Sequence, residues 1–153
     1  MIDERIIDFY ISTTESSSNK DVCYYSSFNF PAFVYTLGRE RWADEEGAPG
    51  LRKLFIKLAK FNDPKIKRTL ACSIHELAQL LGQDPTESDL VPAMERFLKD
   101  PDTRVAALRE LHIFLGECTP ETRLNFIKYI IVQGEQNETA QGKYDWRTRL
   151  VLA

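Results

Sequence analysis

The chain has 153 residues, 43% of them hydrophobic and 28% charged, which is enough for one ordinary globular domain. A net charge of -3 and a pI near 5.5 give no electrostatic reason to expect a phosphate backbone or an anionic bilayer, so neither nucleic acid nor membrane is an expected partner. No apolar run of about 18 residues is present, and the acidic beginning Met1-Ile2-Asp3-Glu4-Arg5 lacks the basic end and apolar centre of a signal peptide, so the expected location is cytoplasmic, with the nucleus as a second compartment.

Residues 1–13 carry Ile2, Ile6, Ile7, Phe9 and Tyr10 at helical rather than alternating spacing, with Asp3 and Glu4 in the first turn, and predict a helix. Hydroxyl and amide side chains then dominate residues 14–20 and predict a loop. Residues 21–37 are rich in aromatics, which favour strands, but strict alternation fails. Val22, Tyr25, Phe28 or Asn29, Ala32, Phe33 and Thr36 follow steps of three and four, so the segment is expected to be a helix kinked at Pro31 and stopped at Gly38. Its aromatics have no interleaved basic residues and are expected in a core rather than stacked on bases. Residues 39–50 form a linker. It holds Arg41 and Trp42, an acidic cluster at Asp44, Glu45 and Glu46, and the breaker sequence Gly47-Ala48-Pro49-Gly50.

Leu51, Leu54, Phe55, Leu58 and Ala59 mark a short helix packing back on the next one. That next helix, residues 63–81, opens with Asp63 as a cap and Pro64 in the first turn, carries Ile66, Leu70, Ile74, Leu77 and Leu81 on one stripe, and stops at Gly82. The layout then recurs. Asp100-Pro101-Asp102-Thr103-Arg104 repeats Asp63-Pro64-Lys65-Ile66-Lys67 at an offset of 37, and residues 105–115 are again an apolar-striped helix. Asp145-Trp146-Arg147-Thr148-Arg149 is a third copy, 45 positions further on. The preceding helix repeats as well: Leu90, Ala93, Met94, Phe97 and Leu98 match the residue 51–59 stripe at an offset of 39. Thr86-Glu87-Ser88-Asp89 resembles a capping box. Cys118-Thr119-Pro120 opens a further helix striped by Leu124, Ile127, Ile130 and Ile131, and residues 133–143 are expected to be a mobile loop.

A helix-opening signature recurring about every 40 residues predicts an all-α superhelix of the HEAT or armadillo kind, a solenoid of antiparallel helix pairs. The expected array is one domain, residues 1–153, with units at about 1–38, 51–82, 87–117 and 120–153, a linker at 39–50, and the last unit truncated as in a fragment of a longer array. A unit without its neighbour leaves an apolar flank, so the chain is expected to be marginally stable or to associate. Asp63, Asp100 and Asp145, with Lys67, Arg104 and Arg149, are expected to form an inter-repeat ladder of ion pairs that sets stacking register.

Little in the chain suggests chemistry. Cys23, Cys72 and Cys118 are odd in number, far apart and without Cys-x-x-Cys spacing, which argues for reduced, packed thiols. His75 and His112 occupy equivalent positions 37 apart with no convergent ligand set beside them, so no metal is expected. Cys72 and His75 share one helix and make a weak case for a nucleophile and base. No glycine-rich phosphate loop is present. The expectation is a non-enzyme with no catalytic residues and no cofactor.

The wording of the chain also resembles a known family. Ser27-Phe28-Asn29-Phe30-Pro31-Ala32-Phe33-Val34-Tyr35-Thr36-Leu37-Gly38, Lys67-Arg68-Thr69-Leu70-Ala71-Cys72-Ser73-Ile74-His75-Glu76-Leu77-Ala78, Asp89-Leu90-Val91-Pro92, Arg96-Phe97-Leu98-Lys99-Asp100 and Trp146-Arg147 are similar to the HEAT-repeat regulatory subunit 1 family of protein phosphatase 4, itself related to the phosphatase 2A scaffold. The resemblance implies a non-catalytic subunit that binds a serine/threonine phosphatase catalytic subunit and directs its choice of substrates. On that reading the inter-helix turns are the contact points, and Arg41, Trp42, Trp146 and Arg147 are candidate anchors, because Trp and Arg are favoured there. The competing readings are an adaptor or transport solenoid, for which an asparagine ladder is missing, and a HEAT-like DNA-repair glycosylase, for which the acidic balance is wrong.

Overall fold

The computed structural model describes residues 4–43 and 50–139. Every regular element among them is helical: α1 (Glu4–Ser16), α2 (Lys20–Leu37), a 3-10 turn (Arg39–Arg41), α3 (Leu51–Lys60) and α4 (Pro64–Leu81). A helical turn (Gln83–Pro85) and a π-helical turn (Thr86–Leu90) then lead into α5 (Val91–Lys99), followed by α6 (Pro101–Arg109), α7 (Leu111–Gly116) and α8 (Pro120–Thr139). The helices stack in pairs as an α-solenoid. α2, α4 and α6–α7 pack side by side as one layer, while α1, α3 and α5 line the other.

Local chemistry sets the helix ends. Asp63 accepts from Lys65 N at 2.9 Å and Ile66 N at 3.4 Å, and Asp100 accepts from Asp102 N at 3.0 Å, so each satisfies N–H groups that a first helical turn leaves free. Pro64 and Pro101 occupy the first turn, where no donor is needed. Gly38 and Gly82 end α2 and α4 at φ of 79° and 80°, a region that costs other residues a clash at Cβ.

The core runs the length of the stack. The repeated stripe residues Leu51, Leu54, Phe55, Leu58 and Ala59 are buried, and so are their counterparts Leu90, Ala93, Met94, Phe97 and Leu98. Ile66, Leu70, Ile74, Leu77 and Leu81 of α4 are each no more than 1% exposed, because α4 has helices on both sides.

Several local expectations change. The first loop is only residues 17–19; α1 continues through Ser16, with Thr14 and Ser16 hydroxyls bonded back to Tyr10 O and Ser12 O. α2 is helical as expected but buries the opposite face. Cys23, Ser26, Ser27, Phe30, Pro31 and Val34 face inward, whereas Tyr25, Phe28, Ala32 and Thr36 are exposed. Small serines let neighbours approach closely, and their hydroxyls stay satisfied: Ser27 Oγ donates to Cys23 O at 2.8 Å, and Ser26 Oγ lies 2.8 Å from Thr14 Oγ1. The same inversion occurs on α8, where Phe126 is buried and Leu124, Ile127 and Ile131 are exposed. The helix expected over residues 105–115 is broken at Glu110 (φ -115°, ψ 21°), and α7 restarts with Ile113 N and Phe114 N bonding to Glu110 O. Nor do residues 86–89 cap a helix. Helical structure has already begun at Gln83, so Thr86 N is bonded to Gly82 O and its hydroxyl donates to the same carbonyl. Residues 133–139, expected in a loop, belong to α8.

Candidate functional site

One rim of the stack carries the starts of α2, α4 and α6 and the turns before them. Lys20 Nζ lies 3.2 Å from Asp63 Oδ2, and Lys67 Nζ lies 3.3 Å from Asp100 Oδ2. A base in the first turn of one second-layer helix thus meets the capping acid of the next. The rung between α2 and α4 uses Lys20, which the repeat comparison did not single out because no Asp-Pro pair precedes it. The Lys20 ammonium, then the backbone N–H groups of Lys65 and Ile66, hold the Asp63 carboxyl below its ordinary pKa against the opposing effect of desolvation. Arg104 bonds to its own unit as well: Nε donates to Leu98 O at 2.8 Å and one terminal amino group to Lys99 O at 3.1 Å. Asp145 and Arg149 lie outside the described residues.

The opposite rim carries Arg41 and Trp42. Arg41 sits in the 3-10 turn with its guanidinium 3.8 Å from Asp8 Oδ1, its side chain 26% exposed. Trp42 is only 3% exposed and cannot anchor a partner. Its indole packs against Phe30 and Phe55, with centroids 6.4 and 5.7 Å away, and Nε1 donates to Asp89 Oδ2 at 2.8 Å. Arg52 Nε donates to the other carboxylate oxygen, also at 2.8 Å. Asp89 therefore ties the segment after α2, the start of α3 and the π-helical turn together. Arg52 N also donates to Trp42 O at 3.0 Å, which holds the start of α3 beside the residue that follows the 3-10 turn. Trp146 and Arg147 lie outside the described residues.

A second cross-unit contact joins Glu87 to the start of α8. Glu87 accepts from Thr119 N at 2.6 Å and from Thr122 Oγ1 at 2.7 Å. Burial raises its pKa, but hydrogen bonds from the Thr119 N–H and the Thr122 hydroxyl outweigh that and leave it below the ordinary value.

Cys23 and Cys118 are buried and Cys72 is exposed. Burial pushes the Cys118 thiol up to about 12, which keeps it protonated at neutral pH. Desolvation also raises Cys23. His75 Nδ1 is buried while Cys72 is exposed, so the pair faces different surroundings. Among the described residues no cluster of three His, Cys, Asp or Glu side chains could hold a metal ion, and no helix is long and apolar enough to cross a membrane.

Among the described residues, large apolar side chains remain exposed on α1, α2 and α8. Ile6 and Phe9 of α1 with Tyr25, Phe28 and Tyr35 of α2 form one set, each at least 59% exposed, and Leu124, Ile127, Ile131 and Val132 of α8 form the other. Between α5 and α8 lies a cleft of about 150 Å³, lined by residues such as Glu95, Lys99, Asn125 and Tyr129.

Comparison with known proteins bears on what such surfaces do. The family described as the protein phosphatase 4 regulatory subunit 1 middle domain matches residues 26–131. The chain is 32% identical, over 162 aligned positions covering all of it, to serine/threonine-protein phosphatase 4 regulatory subunit 1 of Homo sapiens, and equally to that of Mus musculus and of Rattus norvegicus. It spans 16% of the length of each of these relatives. No solved structure matches.

Proposed function

The chain belongs to the protein phosphatase 4 regulatory subunit 1 family, and from that premise we propose that it is a non-catalytic subunit that binds a phosphatase 4-type catalytic subunit and directs it towards substrates. The match over the whole chain carries this reading. Physical support comes from the stack itself: helix pairs held in register by cross-unit contacts such as Lys67–Asp100 and Glu87–Thr119 present a long rigid surface suited to holding another protein. Metal-dependent chemistry in the complex belongs to the catalytic partner.

For the contact itself we propose the rim of the 3-10 turn, with the partly exposed Arg41 as an anchor and Trp146 and Arg147 as further candidates. Trp42 acts indirectly, by fixing the turn that carries Arg41. The proposed compartment is the cytoplasm, with the nucleus second.

The test is capture of purified phosphatase 4 catalytic subunit by the purified chain immobilised on beads, alongside Arg41→Glu. Retention by the natural chain and at least a tenfold loss in the variant is the expected result. No retention of the catalytic subunit by the natural chain overturns the proposal. Retention unaffected by Arg41→Glu overturns the anchor alone.

A further inference from the structure

Charge is unevenly placed along this chain. Residues 51–68 hold seven cations, Arg52, Lys53, Lys57, Lys60, Lys65, Lys67 and Arg68, against the single acid Asp63, a net of +6; the chain's -3 then leaves -9 on the remainder. A net figure near zero hides this asymmetry. The fold concentrates the C-terminal part of the segment on one rim, where α3 ends, the chain turns through residues 61–63, and α4 begins.

Some of these cations already have work. Lys57 Nζ donates to the carbonyls of Thr14, Glu15 and Ser17, closing the end of α1, and Lys67 is paired with Asp100. Asp63 is itself engaged, by two helix N–H groups and by Lys20, so it does little to offset the rest. Lys60, Lys65 and Arg68 are exposed beside it, and Lys20, paired with Asp63, has a side chain 70% exposed. Two of them are held in place. The Lys65 ammonium sits 3.9 Å above the Tyr24 ring, and Arg68 Nε donates to Asp102 O at 3.1 Å. Among the residues whose side chains are described, the other acids on this rim include Glu15, Asp21, Asp100 and Asp102. Asp100 is compensated by Lys67, and Asp21 and Asp102 lie in the first turns of α2 and α6, where helix N–H groups face a carboxylate favourably.

We propose that this rim, centred on Lys60, Lys65 and Arg68, docks an acidic segment of a partner protein: a short extended stretch carrying Asp, Glu or phosphorylated side chains. Arg68 offers a planar fork that matches a carboxylate or phosphate, and the two lysines offer compact point charges one helical turn or less from it in sequence or across the α3–α4 turn. A peptide is favoured over a polyanion of greater extent for a physical reason. Screening confines each charge to about 8 Å at physiological ionic strength, so a segment of a few residues meets only the rim, whereas a duplex or a bilayer also meets more of a chain whose remaining sequence is net -9. The rim lies at the far end of α2 from Arg41; 18 residues of helix separate the two surfaces by about 27 Å. Acidic docking does not depend on catalytic-subunit binding.

Fluorescence anisotropy of a labelled hexaglutamate peptide, and of the same length of peptide carrying phosphoserine among glutamates, titrated with the purified chain, tests this. Saturable binding that weakens with added salt is expected, with at least a tenfold loss in Lys60→Glu/Arg68→Glu. Arg109→Glu/Lys128→Glu, which makes the same change in net charge at exposed positions elsewhere, should alter binding less than twofold. Lys60→Gln/Arg68→Gln guards against misfolding in the reversed variant and should show an intermediate loss, with circular dichroism unchanged. Three outcomes overturn the proposal: no saturable binding, equal loss in the two charge-reversed pairs, or tighter binding to single-stranded DNA or phosphatidylserine vesicles than to the peptides. Capture of the catalytic subunit is read separately, so failure of either leaves the other standing.

Discussion

Asp89 shows how much one carboxylate can organise. It is 9% exposed, accepts from Trp42 Nε1 and Arg52 Nε, and sits in the only π-helical turn among the described residues. Trp42→Phe keeps most of the packing but deletes one of two donors to a buried charge. It should lower stability by about 1–2 kcal/mol; Trp42→Ala, which also leaves a cavity, should cost about 3–5 kcal/mol. Urea denaturation of both variants checks this, and a Trp42→Phe midpoint equal to that of the natural chain would refute the hydrogen bond's share. Glu87 supplies a pH-dependent counterpart. Its folded pKa is depressed, so the stability it contributes is present above its unfolded value of about 4.3 and is lost as pH falls through the folded value. Glu87→Gln should therefore be less stable than the natural chain at pH 7, by about 1–2 kcal/mol, and the gap should narrow as pH falls below about 4. A gap that persists unchanged at pH 3 contradicts the assignment.

At the scale of the element, α2 is the instructive case. The helix and its stop were legible because Gly38 and the three-and-four spacing act within a few residues of one another. The buried face was not, since aromatics occur all round: Phe30 is fully buried while Phe28, two positions away, is 65% exposed. Periodicity reports that a stripe exists; it does not say which of two apolar stripes meets the neighbour. Phe30→Ala should cost about 3–5 kcal/mol, and Phe28→Ala within about 0.5 kcal/mol of zero, as read by thermal or urea melts. Between elements, the Lys67–Asp100 pair is partly exposed, so a double-mutant cycle should return no more than about 1 kcal/mol. Its consequence is register, because it joins the start of α4 to the start of α6.

For the whole molecule, the exposed apolar sets on α1–α2 and on α8 are the feature with the largest consequence. Surfaces of this kind associate in water. Sedimentation velocity should show association that grows with concentration and is reduced in Phe28→Ser/Tyr35→Ser; a strictly monomeric chain at all concentrations, with a sharp melt at high temperature, contradicts this. Charge matters at the same scale. The chain's -3 was a poor guide to its surface, since +6 lies within residues 51–68.

Helical repeats, their caps at Asp63 and Asp100, and the family were all legible in the residues alone, because capping and periodicity act over three or four positions and long motifs are specific. Only the tertiary structure decided which way α2 and α8 face, that Trp42 belongs to the core, that Asp89 and Glu87 bind groups 47 and 32 residues away instead of forming a capping box, and that Lys20 completes a rung with Asp63. Those outcomes depend on what stands opposite each side chain, and burial and charge compensation are properties of that juxtaposition.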